Sequence, residues 1–274
     1  MFCRLSLYLK LIRFDKPIGS VLLAWPCLWG IAHAYHTQNV SMKACAFFTI
    51  LLSAGAIIMR SLGCIINDLA DRDIDKKVER TKERPLACGT LTQAEALLCA
   101  ALLGMAGLAI FCTIPGQAQW FASLGGVLLI LYPFMKRITH YPQVVLGCAF
   151  NVGVLVGYSC LVGAIDTTII CLFLCGMCWT IAYDTIYAFQ DIRDDKMVGV
   201  KSMAVRFERT PKMVVAICYG VGLIFLGLAK PIGISHCVYG LFSLWSMHTW
   251  QPRDLQSCNA VFKTHTIGSL FGIL

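Results

Sequence analysis

The sequence predicts an all-α, polytopic membrane protein, a bundle of hydrophobic helices that we expect to form a single domain over residues 1–274. Hydrophobic residues make up 58% of the chain, charged residues only 14%, and the mean hydropathy is +0.70. A water-soluble domain carries roughly 25% charged residues, so this chain has too little polar surface to cover itself in water. The hydrophobic segments are long and continuous, without the ten-residue alternation of outer-membrane barrels. The spanning segments are therefore predicted to be helices.

Eight segments are long and apolar enough to cross a bilayer, because about 20 such residues span the hydrocarbon core. A ninth apolar segment begins near Thr264 and is about half complete at Leu274, so the bundle is predicted to have eight complete spans plus a partial ninth. The first sixteen residues mix basic and apolar side chains and are expected to lie on the membrane surface without cleavage. The eight predicted spans are Ser20–Tyr35, Ala44–Ile66, Ala94–Ile114, Ala118–Phe134, Val144–Ile165, Thr167–Gln190, Met213–Leu228 and Ile232–Trp250.

The basic residues are distributed very unevenly between the two sides of this bundle. Twenty of the 23 lysines and arginines lie in the N-terminal segment and in the loops after spans two, four, six and eight. The opposite side holds only Lys43 and Lys230, and Arg60 lies within the second span. By the positive-inside rule, the N-terminus and the large loops face the cytoplasm of a cell inner membrane, with the mitochondrial matrix as the alternative. The net charge of +8 thus reflects topology and gives no reason to expect a nucleic-acid partner.

A first cluster of polar residues follows the second span. Asn67, Asp71 and Asp75 recur every four residues, and Asp68 is adjacent to the first of them. If the helix continues through this segment, the three residues share one face.

A second cluster follows the sixth span, on the same predicted side of the membrane. Asp184, Tyr187, Asp191 and Asp195 fall close to one stripe of a helix at 100° per residue. The two clusters therefore occupy corresponding places in the chain.

Carboxylates four residues apart on a helix repel each other, so something must offset that repulsion. Oxygen ligands of this kind suit a hard divalent cation, and Mg²⁺ prefers a couple of carboxylates combined with substrate phosphate oxygens. The simpler alternative is a solvated loop in which Arg72, Lys76 and Lys77 neutralise the aspartates by internal salt bridges. Two matched clusters at equivalent span ends favour the metal.

Several further polar residues fit a diphosphate ligand. Lys136 and Arg137 follow the fourth span at the same predicted membrane face, and Arg60 lies about two helical turns before Asn67. A charge inside a span is costly, so Arg60 either snorkels to the interface or binds an anion. Asn151, in the middle of the fifth span, either joins two helices or lines a cavity.

These residues resemble the UbiA superfamily of intramembrane prenyltransferases. NDLADRDID at 67–75 is similar to its first aspartate motif, and DIRDD at 191–195 is similar to its second. The stretches RFDKPIGSVLLAWPCLWG, ERTKERPLACG, YPFMKRITHYPQ and DTIYAFQDIRDDKMVGVKS resemble the 4-hydroxybenzoate polyprenyltransferase branch in particular. The resemblance covers nearly the whole chain.

The resemblance implies a nine-helix bundle around a central cavity, with Mg²⁺ and a polyprenyl diphosphate held by the two motifs. Electrophilic substitution would then join the prenyl group to the ring carbon ortho to the hydroxyl of 4-hydroxybenzoate, an early membrane step of ubiquinone biosynthesis. The implied metal ligands are Asp71, Asp75, Asp191 and Asp195, supported by Asn67 and Asp68.

The remaining implied roles belong to substrate-binding residues. Lys136 and Arg137, with Arg60, would stabilise the departing diphosphate, and Arg13 or Arg137 would bind the carboxylate of the acceptor. Asp184, Tyr187 and Asn151 are further candidates for substrate contacts, and the prenyl tail would lie in an apolar channel open to the lipid bilayer.

Two other functions fit the same pattern less well. A prenyltransferase with another aromatic or quinone-precursor acceptor would use the same motifs. An ion-coupled transporter would place its ionisable groups near the midplane of the membrane, whereas these aspartates are predicted at span ends.

Overall fold

The computed structural model describes the backbone of residues 2–274 and the side chains of residues 4–274. Within that range the chain is all helical and forms no β-strand. The α-helices are α1 (Phe2–Leu11), α2 (Ile18–Thr37), α3 (Met42–Ala70), α4 (Arg72–Asp75), α5 (Gln93–Thr113), α6 (Gly116–Ile138), α7 (Pro142–Ser159), α8 (Thr167–Ala188), α9 (Ile192–Val198), α10 (Met203–Arg206), α11 (Pro211–Ala229), α12 (Ile234–Thr249) and α13 (Leu255–Gly268).

The predicted class of fold is confirmed, and the protein is a multi-pass membrane protein. Among the described residues, seven helices are long and apolar enough to cross a membrane, namely α2, α3, α5, α6, α7, α8 and α11. The eighth predicted span corresponds to α12, which has 16 residues. The fifth ends at Ser159, six residues earlier than the hydropathy pattern predicts.

The last helix begins earlier than predicted. α13 starts at Leu255, nine residues before the expected Thr264, because Asp254 caps it by accepting a hydrogen bond from Gln256 N at 2.9 Å. Polar residues such as Lys263 and His265 interrupt the apolar pattern there, so hydropathy alone placed the start too late. A short 3₁₀ turn, Ser269–Gly272, follows the helix.

The core lies between α2, α7, α8 and α11. Trp29 of α2 and Trp179 of α8 are each 1% exposed, and their indole N–H groups donate to Ser269 O at 2.9 Å and to Ser269 Oγ at 3.2 Å. Gly30 and Gly157 allow α2 and α7 to pack closely, since a Cβ at either position would overlap the backbone of the facing helix. The two tryptophan hydrogen bonds to Ser269 join the C-terminal turn to the centre of the bundle.

The C-terminal ends of α3, α6 and α8 lie at the same end of the bundle. Arg137, in the last turn of α6, donates from Nη2 to Ala70 O at the end of α3 at 2.5 Å. Lys201, in the segment after α9, donates from its backbone N–H to Lys136 O at 2.9 Å. The two polar clusters and the basic pair therefore face one another.

Candidate active site

The first aspartate segment is helical but interrupted at one residue. α3 ends at Ala70, and Asp71, at φ −100° and ψ 8°, links it to the four-residue helix α4. The backbone hydrogen bonds nevertheless continue at a spacing of four, from Asp71 N to Asn67 O at 2.9 Å and from Asp75 N to Asp71 O at 2.8 Å. The helix therefore continues with an interruption at Asp71, and the four-residue spacing of the polar side chains is preserved.

Asp71 is the first-motif carboxylate without a close partner. It is 5% exposed, and its Oδ1 makes no hydrogen bond with any residue that the structure describes. The nearest cations are Arg137 Nη2, 3.6 Å from Oδ1, and Lys136 Nζ, 3.8 Å from Oδ2. Burial raises the pKa of this carboxyl above its ordinary value, and the positive charge of Lys136 opposes that shift. Such an oxygen is ready to accept a cation.

Asp68 and Asp75 are held by arginines. Arg84 donates from Nη1 to Asp75 Oδ2 at 2.7 Å and to Asp68 Oδ1 at 3.1 Å. Arg13 donates from Nη2 to both carboxylate oxygens of Asp68 at 2.8 Å each. Arg13 was a candidate for binding the acceptor and Asp68 a candidate metal ligand, and the structure pairs the two with each other.

The second aspartate segment has a different local structure. α8 ends at Ala188, the 3₁₀ turn Phe189–Asp191 follows, and α9 begins at Ile192. Arg80 donates from Nε to Asp191 Oδ1 at 2.7 Å, and its Nη2 pairs with Asp191 Oδ2. The same guanidinium donates from Nη1 to Tyr187 Oη at 3.2 Å and lies 5.5 Å from the centre of that ring.

A small cavity of about 50 Å³ lies between the two segments. A buried water needs roughly 10–15 Å³ of such space, so the cavity has room for a few waters or an ion. Arg80 and Arg84 lie on its wall. The predicted site residues that line it are Asn67, Asp71, Asp75, Lys136, Asp191 and Asp195.

Three other predicted residues lie away from this cavity. Arg60 and Asp184 make neither a hydrogen bond nor a salt bridge among the described residues, and they interact electrostatically with each other. The guanidinium of Arg60 occupies the space over Gly19, where a Cβ would overlap it. Asn151 is fully buried and donates from Nδ2 to Thr180 Oγ1 at 2.8 Å, which joins α7 to α8 as the helix-packing alternative predicts.

The donor set fits a hard divalent cation bound together with a substrate. Among the described side chains, no three His, Cys, Asp or Glu residues are close enough to share one ion. Mg²⁺ commonly uses only one or two carboxylates, with waters and substrate phosphates as its other ligands. Oδ1 of Asp71, which accepts no hydrogen bond from the described residues, lies in one cavity with Asp75, Asp191 and Asp195 and meets that smaller requirement.

The sequence pattern of the UbiA prenyltransferase family matches residues 23–270. The chain belongs to that family. A relative named 4-hydroxybenzoate octaprenyltransferase, from Cupriavidus pinatubonensis, is 39% identical over 95% of this chain and 92% of its own length. A mitochondrial 4-hydroxybenzoate polyprenyltransferase from Dictyostelium discoideum is also 39% identical over 97% of this chain, which spans 59% of that longer relative.

Solved UbiA structures share the fold. A UbiA homolog from Archaeoglobus fulgidus, bound to GPP and Mg²⁺, superposes with a TM-score of 0.76 over 97% of this chain and 96% of its own, at 19% identity. This likeness confirms the helical membrane fold of the UbiA family for the chain.

Sequence reasoning missed the two arginines that hold the UbiA motifs, Arg80 and Arg84. The sequence analysis considered Lys76 as a cation that neutralises the motif aspartates. In the structure Lys76 pairs with the exposed Asp73 at 3.0 Å. A usable signal was present: Arg80 and Arg84 lie four residues apart in a loop between two acidic clusters that need counter-charges.

Proposed function

We propose that this UbiA family member transfers a polyprenyl group from polyprenyl diphosphate to 4-hydroxybenzoate, as an early membrane step of ubiquinone biosynthesis. The new bond forms at the ring carbon ortho to the hydroxyl. The observation that carries the proposal is the cavity between the two aspartate segments, where a buried Asp71 oxygen without a hydrogen bond from any described residue lies near Lys136 and Arg137. The names of the relatives supply the substrate class.

The residues that would hold a metal are Asp71, Asp75, Asp191 and Asp195, with Asn67 beside them on the cavity wall. The Archaeoglobus homolog was solved with Mg²⁺, and the oxygen-only donor set here suits the same ion. When bound, Mg²⁺ draws electron density from the diphosphate and so weakens the allylic C–O bond.

Lys136 and Arg137 stabilise the diphosphate as it leaves with the electron pair of that bond. Both side chains are at the end of α6, next to Asp71. At this place they can stabilise the negative charge that develops on the diphosphate during the reaction. A ring carbon of the acceptor then attacks the allylic cation, and the ring loses a proton. Arg137 adds a planar fork that suits a phosphate.

Arg60 is the arginine available for the carboxylate of the acceptor. Arg13 is committed to Asp68, and Arg137 donates to Ala70 O and lies beside Asp71. Arg60 of α3 has no hydrogen-bonding partner among the described residues and lies eleven residues before Asp71, which corresponds to about 16 Å of helix. In this proposal Arg60 binds the acceptor carboxylate deeper in the bundle than the diphosphate site.

Product analysis tests the reaction. Purified protein in detergent is incubated with ring-labelled 4-hydroxybenzoate, Mg²⁺ and polyprenyl diphosphates of several lengths, and the product is measured by mass. We expect a prenylated acid with one ring hydrogen replaced. Excess chelator should abolish turnover, and added Mg²⁺ should restore it. Full turnover in chelator would contradict the metal site, and a product only from another aromatic acceptor would favour the alternative substrate.

We further propose a cell inner membrane location with the active site toward the cytoplasm. The support is the excess of basic residues on the side that carries both aspartate segments. Cys88, exposed in the loop after α4, reports orientation. An impermeant maleimide should label this thiol in inverted vesicles but not in right-side-out cells, and a Cys88→Ser variant identifies its signal. Labelling from outside intact cells would reverse the orientation.

A further inference from the structure

Asp68 is buried like Asp71 and Asp75 of its motif but, unlike them, does not line the cavity. It is 1% exposed, whereas the adjacent Asn67 and Asp71, three residues later, line the cavity. Its two oxygens accept two hydrogen bonds from Arg13, at 2.8 Å each, and one from Arg84 at 3.1 Å. A carboxylate has about four acceptor positions, so three of them are already used by guanidinium groups.

Arg84 connects this hidden carboxylate to one that faces the cavity. Its Nη1 atom lies 3.1 Å from Asp68 Oδ1 and 2.7 Å from Asp75 Oδ2. The four side chains therefore form a row of alternating charge, which we call the relay: Arg13, Asp68, Arg84 and Asp75. In this row the position of Asp75 depends on Arg84, and the position of Arg84 depends on Asp68.

The chain segments that carry the relay also contribute to one buried apolar cluster. Leu11, Ile65 and Leu86 are buried in contact with one another, and each is at most 1% exposed. They lie two residues before Arg13, three before Asp68 and two after Arg84, respectively. Burial of these side chains fixes the three chain segments that carry the charges.

The backbone conformation of Arg13 also indicates that the surrounding structure holds this residue against Asp68. Its φ of +56° is the only positive value at a non-glycine residue in the described chain. This left-handed conformation is uncommon for a residue with a long side chain. It persists where surrounding contacts stabilise it enough to offset its cost. The Arg13 guanidinium is held at both ends, by Asp68 and by Lys10 O at 2.7 Å from Nη1.

We propose that Asp68 is a positioning residue and not a metal ligand, and that it acts through Arg84 to hold Asp75 in the metal site. The inference rests on the proposed function for the identity of that site. Groups that orient a metal ligand without touching the metal typically change metal affinity by about 10-fold to 100-fold when removed. The relay sets the affinity of the site for its metal and leaves the set of ligand atoms unchanged.

Binding of Mn²⁺ to the purified full chain in the presence of inorganic diphosphate, followed by electron paramagnetic resonance, tests this role. Asp68→Asn and Arg84→Gln should each weaken Mn²⁺ binding about 10-fold without changing the line shape of the bound ion. The double variant should bind no more weakly than either single variant, because both substitutions break the same row. Arg84→Lys retains one charged nitrogen and should recover part of the affinity.

Two matched variants serve as controls. Asp73→Asn changes the same residue type five positions later, where the side chain is 88% exposed and forms a salt bridge with Lys76. Lys82→Gln changes a cation in the loop that carries Arg84, and its partner is the exposed Glu79. Both controls should bind Mn²⁺ like the wild type. If Asp68→Asn does not fold, the pair Arg84→Gln and Arg84→Lys still tests the relay.

Several results would overturn the proposal. Additive losses in the double variant would separate Asp68 from Arg84, and a changed line shape in Asp68→Asn would make Asp68 a ligand. Wild-type affinity in Arg84→Gln would show that Asp75 needs no support. A wild-type protein that does not bind Mn²⁺ would overturn the site and the relay together. A wild type that binds Mn²⁺ but forms no prenylated product would overturn the proposed function alone.

Discussion

The two aspartate segments are held in place in different ways. Asp71 and Asp75 of the first are 5% and 6% exposed and continue the hydrogen bonding of α3. Asp191 of the second lies on a 3₁₀ turn, and its partner Arg80 has a side chain that is 38% exposed. An exposed ion pair is worth about 1 kcal/mol or less, whereas breaking a buried one costs several. The first segment is therefore built into the fold, and the second can exchange its partner.

The largest effect is expected at the buried segment. Asp71→Asn should lower turnover by at least about 100-fold, the scale of losing a preorganised electrostatic partner. Asp73→Asn, in the next turn but 88% exposed on its side chain, is the matched control and should keep its rate. Product formation at saturating Mg²⁺ measures both. A near-normal rate in Asp71→Asn would mean that the buried segment is only structural.

The same variant should also be more stable. Burial raises the pKa of Asp71 in the folded protein, so its contribution to stability is full below the ordinary carboxyl pKa and is lost as pH rises through the raised value. At neutral pH the buried, charged carboxylate of Asp71 destabilises the folded protein, and asparagine removes this charge. The substitution also loses no helix-capping hydrogen bond, because the Asp71 side chain makes none. Asp71→Asn should therefore raise the Tm of the metal-free protein. A lower Tm of Asp71→Asn at pH 7 would contradict this prediction.

An intermediate effect is expected at Arg137, which joins α6 to the first segment. Arg137→Lys keeps the charge but loses the planar fork that reaches Ala70 O and lies 3.6 Å from Asp71. We expect kcat/KM to fall about 10-fold, with a higher KM for the diphosphate and little change for 4-hydroxybenzoate. A higher KM for the acceptor would instead assign Arg137 to the carboxylate. Unaltered kinetics for both substrates would remove it from the site.

The smallest effect is expected where the second segment meets Arg80. Because this arginine occupies both oxygens of Asp191, it competes with a metal ion for them. Arg80→Gln should lower the Mg²⁺ concentration for half-maximal activity about five-fold, which corresponds to roughly 1 kcal/mol for a partly exposed pair. Lys82→Gln, in the same loop, is the control. An increase in the Mg²⁺ requirement would show that Arg80 supports the site and does not compete.

Local sequence determined most of the helical architecture. Long apolar runs predict spans because an unpaired backbone is too costly in lipid, and seven of the eight complete spans appear as helices that meet both length and hydropathy criteria. The same reasoning failed at α13, where Lys263 and His265 interrupt the apolar pattern. His265 is nevertheless fully buried, hydrogen-bonded to Tyr219 at 2.7 Å. Tertiary contacts that satisfy a polar group are invisible to hydropathy.

The sequence by itself also predicted that Asn67, Asp71 and Asp75 lie together, and all three line the cavity because their four-residue spacing survives the break after Ala70. Only the tertiary structure decided how the charges pair. Arg13 lies 55 residues from Asp68, and Arg80 lies 111 residues from Asp191, so no local pattern could join them. Packing of Leu11, Ile65 and Leu86 brings the first pair together, because apolar burial, and not the weak attraction between distant charges in water, fixes where chain segments meet.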